Sequence, residues 1–403
     1  MLLIDAKCSH FKECGGCSSQ NRPYEAQVLE KQAAIEKIFT PLLQNQSPVM
    51  HPIIPCEKAW EYRNKMEFSF SQNKAGDYFL GLMMKGKQRV VDLYECHLVS
   101  PWFSHVLAKV RQWWKESGLL AYRHSQDSGH LRTLIVREAK NGKGKLVMLT
   151  VSGNPDFAIK RAHIESFVSA LKSTLAESDH PVLSIFLRVQ QIKKGSSTQF
   201  YEMLLSGPDH MMETLNIRTT IFDKQLHFKI SPSSFFQPNT QQAELLYSTA
   251  LNMLRGLTHK LIFDLYCGTA TFGLCVAEAA RHVVGIEINP HAVFDAGVNK
   301  EINGIENFTI HNGDVGTVLE KLKIDEPPDL VIVDPPRAGL DERALKNIIH
   351  LSPKEILYIS CNPRSQADNI KILIDAGYRL SQIQPIDQFP HTSHVENIVL
   401  LIK

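Results

Sequence analysis

The stretch LIFDLYCGTATFGL, residues 261–274, is an apolar run that passes through a glycine-containing turn into a helical pattern. A strand that enters a helix through such a turn directs the backbone amides of the helix N-terminus toward a ligand at the carboxyl edge of a sheet. An ordinary strand-to-helix turn has the same pattern, and Ala270 occupies the place where a second glycine is usual. This stretch alone therefore leaves both interpretations open.

Apolar strands and helical segments alternate from this stretch to the end of the chain, and the pattern predicts a parallel α/β sheet with crossover helices over residues 231–403. The later strands are VVGIEI, FTIHNGD, LVIVDPP, EILYIS and the final NIVLLIK. Glu287 ends the first of these, about 20 residues after the glycine turn, where a carboxylate accepts hydrogen bonds from ribose hydroxyls. Asp314 is suited to a contact on the adenine side of such a ligand, but a helix cap explains it nearly as well. A dinucleotide-binding enzyme has the same pattern up to this point.

The loop DPPR, residues 334–337, begins with Asp334 directly after a buried strand. Two consecutive prolines stiffen a loop at the sheet edge, where a planar base must be held. Similar Asp-Pro-Pro loops followed by an aromatic residue occur in enzymes that methylate exocyclic amines, but Arg337 stands in that place here. We therefore expect a methyltransferase-like loop that serves a different chemistry.

A cysteine and a glutamate lie at two further strand ends. Cys361 follows EILYIS at the functional edge of the sheet, and the helix expected beyond Pro363 favours its thiolate. A buried structural cysteine is the alternative interpretation. Glu396 lies where a loop enters the last apolar strand, which is a costly place for a carboxylate that has no partner or task. Together these two residues are candidates for a nucleophile and a base.

A separate group of cysteines lies near the N-terminus. Cys8, Cys14 and Cys17 have the spacing C-x5-C-x2-C, and Cys96 follows 79 residues after Cys17. Three close thiolates and one distant one can surround an iron-sulfur cluster or a zinc ion, and the spacing does not choose between them. Cys56 lies outside this pattern, and we interpret it as structural.

The pattern along the chain predicts four parts. Residues 1–22 form the cysteine segment, and residues 23–46 contain a helix that is expected to pack on the catalytic domain. Short β-rich runs, with a helical stretch around 156–175, predict a mainly β central domain over residues 47–230. Residues 231–403 form the α/β domain. The N-terminus has no apolar run long enough for a signal peptide, and we expect a cytoplasmic protein in a reducing compartment.

Three segments, DPPRAGL, YISCNP and IDQFPHTSHVE, together resemble the RNA 5-methyluridine (uracil-C5) methyltransferase family, and the resemblance covers essentially the whole chain. It implies a Rossmann-like class I methyltransferase domain with a mostly parallel sheet and S-adenosylmethionine as the cofactor. By position, it makes Cys361 the nucleophile that adds to carbon 6 of uracil and Glu396 the base that removes the proton from carbon 5. The implied cofactor contacts are Gln237, Tyr266, Glu287, Asp334 and, as a weaker member of the set, Asp314. The sequence departs from the family at Ala270 and at Ser365, which stands for a frequent threonine.

For Cys8, Cys14, Cys17 and Cys96, the resemblance implies a 4Fe-4S cluster, which belongs to the family branch that acts on 23S ribosomal RNA. A transfer-RNA uracil-5-methyltransferase, a nucleobase amino-methyltransferase, and an iron-sulfur RNA-binding or assembly protein with an inactive methyltransferase domain are the alternatives. The implied partner is RNA, with no membrane and no obligate protein partner, and we expect a monomer.

The net charge of +2 does not indicate a protein that binds nucleic acid over its whole surface, so any RNA-binding surface is local. Basic and aromatic residues interleave in WEYRNK, residues 60–65, and LRTLIVRE contains Arg132 and Arg137. These positions are candidates for contact with unstacked bases and phosphates. A solvated face explains any single arginine at least as well.

Overall fold

The computed structural model describes residues 3–43, 46–175, 182–192, 195–254, 256–257 and 260–403. The chain forms two compact units, each built from two segments. Unit 1 comprises Met1–Pro23 and Lys58–Glu213, and unit 2 comprises Tyr24–Glu57 and Thr214–Lys403.

The helices and strands of the described residues are numbered in chain order. The strands are β1 (Val49–Met50), β2 (Lys65–Gln72), β3 (Tyr78–Met83), β4 (Val90–Asp92), β5 (Leu131–Glu138), β6 (Gly144–Ser152), β7 (Val182–Gln191), β8 (Gln199–Ser206), β9 (Met211–Arg218), β10 (Asp223–Ile230), β11 (Leu261–Leu265), β12 (His282–Glu287), β13 (Phe308–Asn312), β14 (Leu330–Val333), β15 (Glu355–Ser360), β16 (Arg379–Ile386) and β17 (Glu396–Ile402). The helices are α1 (Tyr24–Phe39), α2 (Pro101–Ser117), α3 (Arg161–Lys172), α4 (Thr240–Met253), α5 (Thr271–Ala277), α6 (Pro290–Ile302), α7 (Val315–Lys321), α8 (Glu342–Leu351) and α9 (Pro363–Asp375).

Unit 2 is built on an eight-stranded sheet with the order β1-β16-β17-β15-β14-β11-β12-β13. Strands β11 to β15 run parallel to one another, because a helix follows each of them and returns the chain to the same edge. From β11 the chain builds outward on one side through β12 and β13, and it then crosses to the other side through β14 and β15. The strand order therefore reverses between β11 and β14, the point at which open α/β sheets bind ligands. The predicted α/β organisation of the C-terminal region is confirmed.

The last strand differs from the prediction of a parallel sheet. Strand β17 runs antiparallel to both β15 and β16. The connection from β16 to β17, residues 387–395, contains no helix, and a parallel return needs a crossover that is longer than this. Strand β16 itself was not expected, since its polar residues Gln382 and Gln384 interrupt the apolar pattern.

The core of unit 2 lies between this sheet and its helices. Ile35 and Phe39 of α1 are buried in the same apolar cluster as Val331, Tyr358 and Val399 of the central strands. Helix α1 therefore belongs to unit 2, although it lies far from that unit's strands in sequence. Residues 44 and 45 of the predicted 23–46 segment lie outside the described residues.

Unit 1 contains a seven-stranded sheet with the order β4-β3-β2-β5-β6-β7-β8, in which only the β6–β7 pair among the described strand pairs is parallel. Helix α2 buries Phe103 and Trp114, and α3 buries Phe167, in one cluster with Phe68 and Leu134 of the sheet. Helix α2 was not expected from the sequence. No helix in the described part of the chain is both long and apolar enough to cross a membrane.

Candidate active site

A cavity of about 400 Å³ opens at the carboxyl edge of the unit 2 sheet, at the place where the strand order reverses. Ligand cavities in proteins are commonly of this size. Most side chains at its wall come from the loop before α4, the end of β11 and the turn after it, the loops after β14 and β15, and the start of β17. The lining includes Phe235, Phe236, Gln237, Asp264, Tyr266, Gly268, Thr269, Asp334, Arg337, Cys361 and Glu396.

The register of the strands brings the two proposed catalytic residues together. In the antiparallel pair β15–β17, Ser360 lies opposite Asn397, so continuing the pairing by one residue places Cys361 opposite Glu396. Opposite residues of an antiparallel pair have Cα atoms about 4.5–5.5 Å apart. The antiparallel direction of β17 thus carries the glutamate at the start of one strand to the cysteine at the end of another.

Cys361 is half-buried at the wall of the cavity. The pKa of its thiol is raised to about 11, mainly by burial and then by the nearby Glu396 and Asp334, while Arg337 lowers it. The loop that carries Cys361 is tied to the loop after β14: Asn362 Nδ2 and Ser365 Oγ donate to the backbone carbonyl of Arg337 at 2.9 and 3.1 Å. Ser365 therefore supplies a hydroxyl donor, as a threonine would.

Glu396 is 3% exposed, and its Oε2 has no hydrogen-bond partner among the described residues. Burial raises the pKa of this carboxyl well above its ordinary value, Asp334 raises it further, and Arg337 opposes them. Burial also raises the pKa of Asp334, to about 7. A buried and a half-buried carboxyl with raised pKa values are typical of a functional site, and a bound cation would stabilise their ionised forms.

Arg337 supplies positive charge at the same wall. Its Nη2 lies 3.0 Å from Nδ1 of His394, which is carried by the loop between β16 and β17. The guanidinium thus lies near the two groups whose pKa values it lowers, Cys361 and Glu396. Such a cation favours the thiolate over the thiol.

Asp264 lines the cavity, and the sequence interpretation missed it. It is 2% exposed in the middle of β11, and burial raises the pKa of its carboxyl to about 8. A Cβ on Gly273 would approach Asp264 Oδ2 to 2.7 Å, so the first turn of α5 packs directly against this carboxyl. A signal was available, because an acidic residue inside the apolar run LIFDL is costly unless it has a task.

The other sequence-predicted cofactor residues lie in different places. Gln237, Tyr266 and Asp334 line the cavity. Glu287 does not; its Oε2 accepts from Gly268 N at 3.0 Å and its Oε1 accepts from Asn289 N at 2.7 Å, so it joins the turn after β11 to the start of α6. Asp314 is exposed and caps α7 by accepting from Thr317 N at 2.9 Å. The assignment of these residues to cofactor binding stays a prediction.

The four N-terminal cysteines are gathered in unit 1. Cys8, Cys14, Cys17 and Cys96 line one small cavity. The CGGC turn packs tightly on the end of β3, since a Cβ on Gly15 would approach the Met83 carbonyl oxygen to 2.8 Å. Within the described ranges, no group of three or more His, Cys, Asp or Glu side chains meets the geometry of a metal site. The structure therefore brings the four thiols to one place without showing a metal centre.

Arg132 and Arg137, the two arginines considered for RNA contact in LRTLIVRE, lie in different surroundings. Arg132 stacks over the ring of Tyr122, with its guanidinium carbon 3.7 Å from the ring centre. Arg137 is 1% exposed, so the prediction that it contacts a phosphate is wrong for this structure. In the segment at residues 60–65, Arg63 Nε donates to the backbone carbonyl of Lys65 at 2.9 Å.

Comparison with known proteins gives a consistent result. The sequence model of the family described as tRNA (Uracil-5-)-methyltransferase matches residues 181–314 and 316–403. An uncharacterized RNA methyltransferase of Protochlamydia amoebophila is 49% identical over 99% of this chain and 91% of the relative. Another, from Caldanaerobacter subterraneus, is 37% identical over 99% of this chain and 85% of the relative.

A solved structure is similar over nearly the whole chain. It is the tRNA (uracil-54, C5)-methyltransferase of Pyrococcus abyssi in complex with S-adenosyl-L-homocysteine. The match has a TM-score of 0.72 and 25% sequence identity, and it covers 96% of this chain and 86% of the other.

Proposed function

The chain belongs to the tRNA (uracil-5-)-methyltransferase family and is an RNA methyltransferase, and from this premise we propose that it transfers a methyl group from S-adenosylmethionine to carbon 5 of a uridine in RNA. Cys361 is the nucleophile and Glu396 is the base in this proposal. The observation that carries it is that Cys361 and Glu396 line one cavity, each next to a member of the Ser360–Asn397 strand pair.

The residues at the cavity wall fit S-adenosylmethionine. The ligand is a cation at its sulfonium, and it would meet the carboxyls of Asp264 and Asp334, whose pKa values are raised to about 8 and about 7. A bound cation stabilises both carboxylates, so the two acids suit a positively charged ligand. Gln237 and Tyr266 line the same cavity and would contact the ligand. When bound, S-adenosylmethionine supplies an electrophilic methyl group.

The chain's own residues perform the remaining chemistry. The Cys361 sulfur forms a bond to carbon 6 of the uracil, and the electron pair of the ring double bond moves to carbon 5 and its carbonyl as an enolate. Arg337 favours the thiolate that begins this step. Once carbon 5 has received the methyl group, Glu396 accepts the proton from carbon 5. The electron pair of that C–H bond re-forms the ring double bond, and the sulfur–carbon bond breaks to release Cys361.

The uracil must leave its base stack to reach Cys361 at the sheet edge, so the substrate is bound as a flipped base or in a single-stranded loop. All residues that line the cavity belong to unit 2, and the monomeric state stays a prediction.

Trapping with RNA that contains 5-fluorouridine tests the nucleophile. Fluorine at carbon 5 cannot be removed as a proton, so the wild-type protein should form a denaturation-resistant adduct that carries one methyl group. The adduct should require S-adenosylmethionine and should be absent from Cys361→Ala. The matched control is Cys275→Ala, which removes a thiol that is buried elsewhere in unit 2. Full methylation by Cys361→Ala would instead favour a nucleobase amino-methyltransferase.

For the N-terminal cysteines we propose a 4Fe-4S cluster held by Cys8, Cys14, Cys17 and Cys96. Four thiols around one cavity are the usual donor set for such a cluster. The backbone N–H of Gly16 donates to Cys14 Sγ at 3.4 Å, a kind of bond that tunes cluster sulfurs. The cluster would be structural, because it would join the segment that carries the first three cysteines to the rest of unit 1.

We further propose 23S ribosomal RNA as the substrate, and this step rests on the cluster. Transfer RNA is the alternative, and it is favoured by the description of the matching family and by the activity named for the solved Pyrococcus protein. Nucleoside mass spectrometry of both RNA classes from cells that lack the gene, with and without the wild-type copy, separates the two. Loss of 5-methyluridine from 23S ribosomal RNA alone would support the proposal, and loss from transfer RNA alone would contradict it.

A further inference from the structure

A ladder of polar side chains on α6 runs along the edge of β10, which has β9 as its sheet neighbour on the other side. Asn303 accepts from His227 N at 2.8 Å and donates to His227 O at 2.7 Å. One helical turn earlier, Asn299 accepts from Lys229 N at 2.7 Å and donates to Lys229 O at 3.3 Å.

The third rung lies one turn earlier again. Asp295 accepts from Ser231 N at 2.9 Å, from Ser231 Oγ at 2.6 Å and from Ser234 Oγ at 2.6 Å. Four residues of helix rise about 6 Å, and two residues of strand rise between about 6 and 7 Å. The spacing of the helix side chains therefore matches the spacing of the outward-facing backbone groups of the strand, and the helix replaces a neighbouring strand.

Two of the three rungs bond to loops that contain residues of the cavity wall. Asn299 Nδ2 also donates to the carbonyl oxygen of Thr269 at 3.3 Å, and Thr269 lines the cavity in the turn after β11. Asp295 holds Ser231 and Ser234, directly before the cavity residues Phe235, Phe236 and Gln237. Both side chains are 0% exposed, so their hydrogen bonds are shielded from water. In the described part of the chain, the side chain of Asn303 bonds to the backbone of His227 and to the carbonyl oxygen of Asn299, and it reaches neither loop.

We propose that Asn299 and Asp295 are positioning residues that fix two loops of the cavity wall, the turn after β11 and the segment at residues 231–237. The amide of Asn299 joins the carbonyl of Thr269 to the carbonyl of Lys229, so it sets the distance between the turn after β11 and the end of β10. Asp295 then fixes the direction in which the chain leaves β10 toward Gln237. Neither residue lines the cavity, and they act through the loops that do.

Asn303 provides a matched control. Its amide makes the same pair of bonds to one strand residue as that of Asn299, but at the outer end of the ladder, where no cavity loop is attached. If the ladder only satisfied the backbone of an edge strand, Asn299→Ala and Asn303→Ala would have the same kind of effect. If the proposal holds, only Asn299→Ala changes the cavity.

The test measures both variants in the full-length protein, first without ligand and then with S-adenosylhomocysteine. Without ligand, Asn299→Ala should speed hydrogen exchange of the backbone amides of residues 266–271 and of Lys229, whereas Asn303→Ala should speed exchange at His227 and leave residues 266–271 unchanged. With ligand, Asn299→Ala should raise the dissociation constant about tenfold or more, as expected for the loss of buried hydrogen bonds that order a site. Asn303→Ala should change it less than about twofold.

The ligand arm rests on the proposed function, and the exchange arm does not. The expected exchange pattern in a protein that fails to bind S-adenosylhomocysteine would support the positioning role and overturn the cofactor assignment. Equal effects of the two variants on exchange and affinity would overturn the positioning role. If Asn299→Ala does not fold, Asn299→Asp serves instead, because it keeps the acceptor for Lys229 N and loses both donors. It should weaken ligand binding in the same way, and unchanged affinity would overturn the proposal.

Discussion

At the scale of single residues, the site contains acidic side chains whose burial lowers the stability of the fold. Glu396 is buried, close enough to Asp334 for each charge to oppose the other, and its Oε2 has no partner in the described part of the chain. A buried carboxyl without full hydrogen bonding lowers the stability of a fold. Such a residue is retained for a task, and for Glu396 the proposed task is to accept a proton.

Glu396→Gln separates this task from the fold. The amide has the same shape but cannot accept the proton, so we expect turnover to fall about 10²- to 10⁴-fold. Methylated RNA should remain attached to Cys361 and accumulate as an adduct on gels and in mass spectra. Thermal stability should be equal to or above that of the wild type, because a neutral group replaces an acid near Asp334. Turnover near the wild-type rate would mean that another group is the base.

Asp264 predicts a pH dependence of stability with a definite sign. Its folded-state pKa is raised to about 8 by burial, above an ordinary value of 3.8, so the folded chain holds a proton that the unfolded chain has lost. Stability from this group is present below pH 4 and is lost as the pH rises toward 8, by about 1.4 kcal/mol per pH unit. Urea unfolding from pH 4 to 8 should show this fall in the wild type and a shallower one in Asp264→Asn.

Asp314→Asn is the control for that measurement. Asn is as good an N-cap as Asp, so helix α7 should remain capped. The pKa of Asp314 is lowered by its bonds from Thr317, which gives the opposite sign: its contribution is present above the ordinary pKa and is lost as the pH falls through the lowered one. The slope of the unfolding free energy against pH, between pH 4 and 8, should therefore match that of the wild type. A shallower slope would contradict the assignment of the pH dependence to Asp264.

Residues at strand ends were predictable from the sequence, and residues inside elements were not. Cys361 and Asp334 follow apolar strands directly, so the rule for carboxyl edges of parallel sheets finds them. Asp264 lies within a strand, and its side chain reaches the cavity only because Gly273 leaves room for it. Asn299 lies inside a helix, where its spacing to β10 depends on tertiary packing that no local pattern contains.

At the scale of elements, helix α1 holds the loop that leads to Glu396. Lys31 Nζ donates to Asp387 Oδ1 at 2.6 Å and to the Phe389 carbonyl oxygen at 3.0 Å. Tyr24 OH donates to the other Asp387 oxygen at 2.8 Å. Lys31 and Asp387 are 5% and 0% exposed, so this ion pair lies in the interior of unit 2.

Breaking this pair should destabilise unit 2. Lys31→Met leaves the Asp387 carboxylate buried without its cation, which costs about 3–5 kcal/mol of unfolding free energy. Lys31→Met with Asp387→Asn should recover part of that loss, since a neutral amide still accepts from Tyr24. Urea unfolding midpoints measure both effects.

The exposed pair Lys346–Glu342 serves as the control for the buried one, and Lys346→Met should leave the midpoint unchanged. A Lys31→Met variant with the unfolding midpoint of the wild type would show that the buried charge pair does not stabilise unit 2.

Predictions of helices and strands failed in two situations: where aromatic residues lower the helix propensity of a helix, and where the connecting segment determines the direction of a strand. Helix α2, PWFSHVLAKVRQWWKES, carries aromatic residues that lower helix propensity, and its stability comes from packing Phe103 and Trp114 on the sheet. Strand β17 has the apolar pattern of a parallel strand, but its antiparallel direction is set by the helix-free connection at 387–395. Pattern alone predicts that a strand exists and not which way it runs.

At the scale of the whole molecule, each unit is assembled from two separated segments. In unit 1 the short segment Met1–Pro23 carries three of the proposed cluster ligands, and Lys58–Glu213 carries the fourth, Cys96. The bonds that join the segments include Ser9 Oγ to Glu95 at 2.7 Å and Gly15 N to the Met83 carbonyl at 2.9 Å. Because the short segment has little apolar core of its own, a bound cluster would supply much of its attachment.

Cys96→Ser tests that attachment. Iron content should fall, and trypsin should cleave within residues 3–23 faster than in the wild type. The reason is that the cluster no longer links the three cysteines of the first segment to the segment that contains position 96. Binding of S-adenosylhomocysteine should stay within about twofold of the wild-type value, since the cavity is lined by unit 2 alone. Cys275→Ala should retain both iron and protease resistance. If Cys96→Ser also retained both, Cys96 would not be a ligand. If the wild-type protein held no iron, the proposal of 23S ribosomal RNA would give way to transfer RNA.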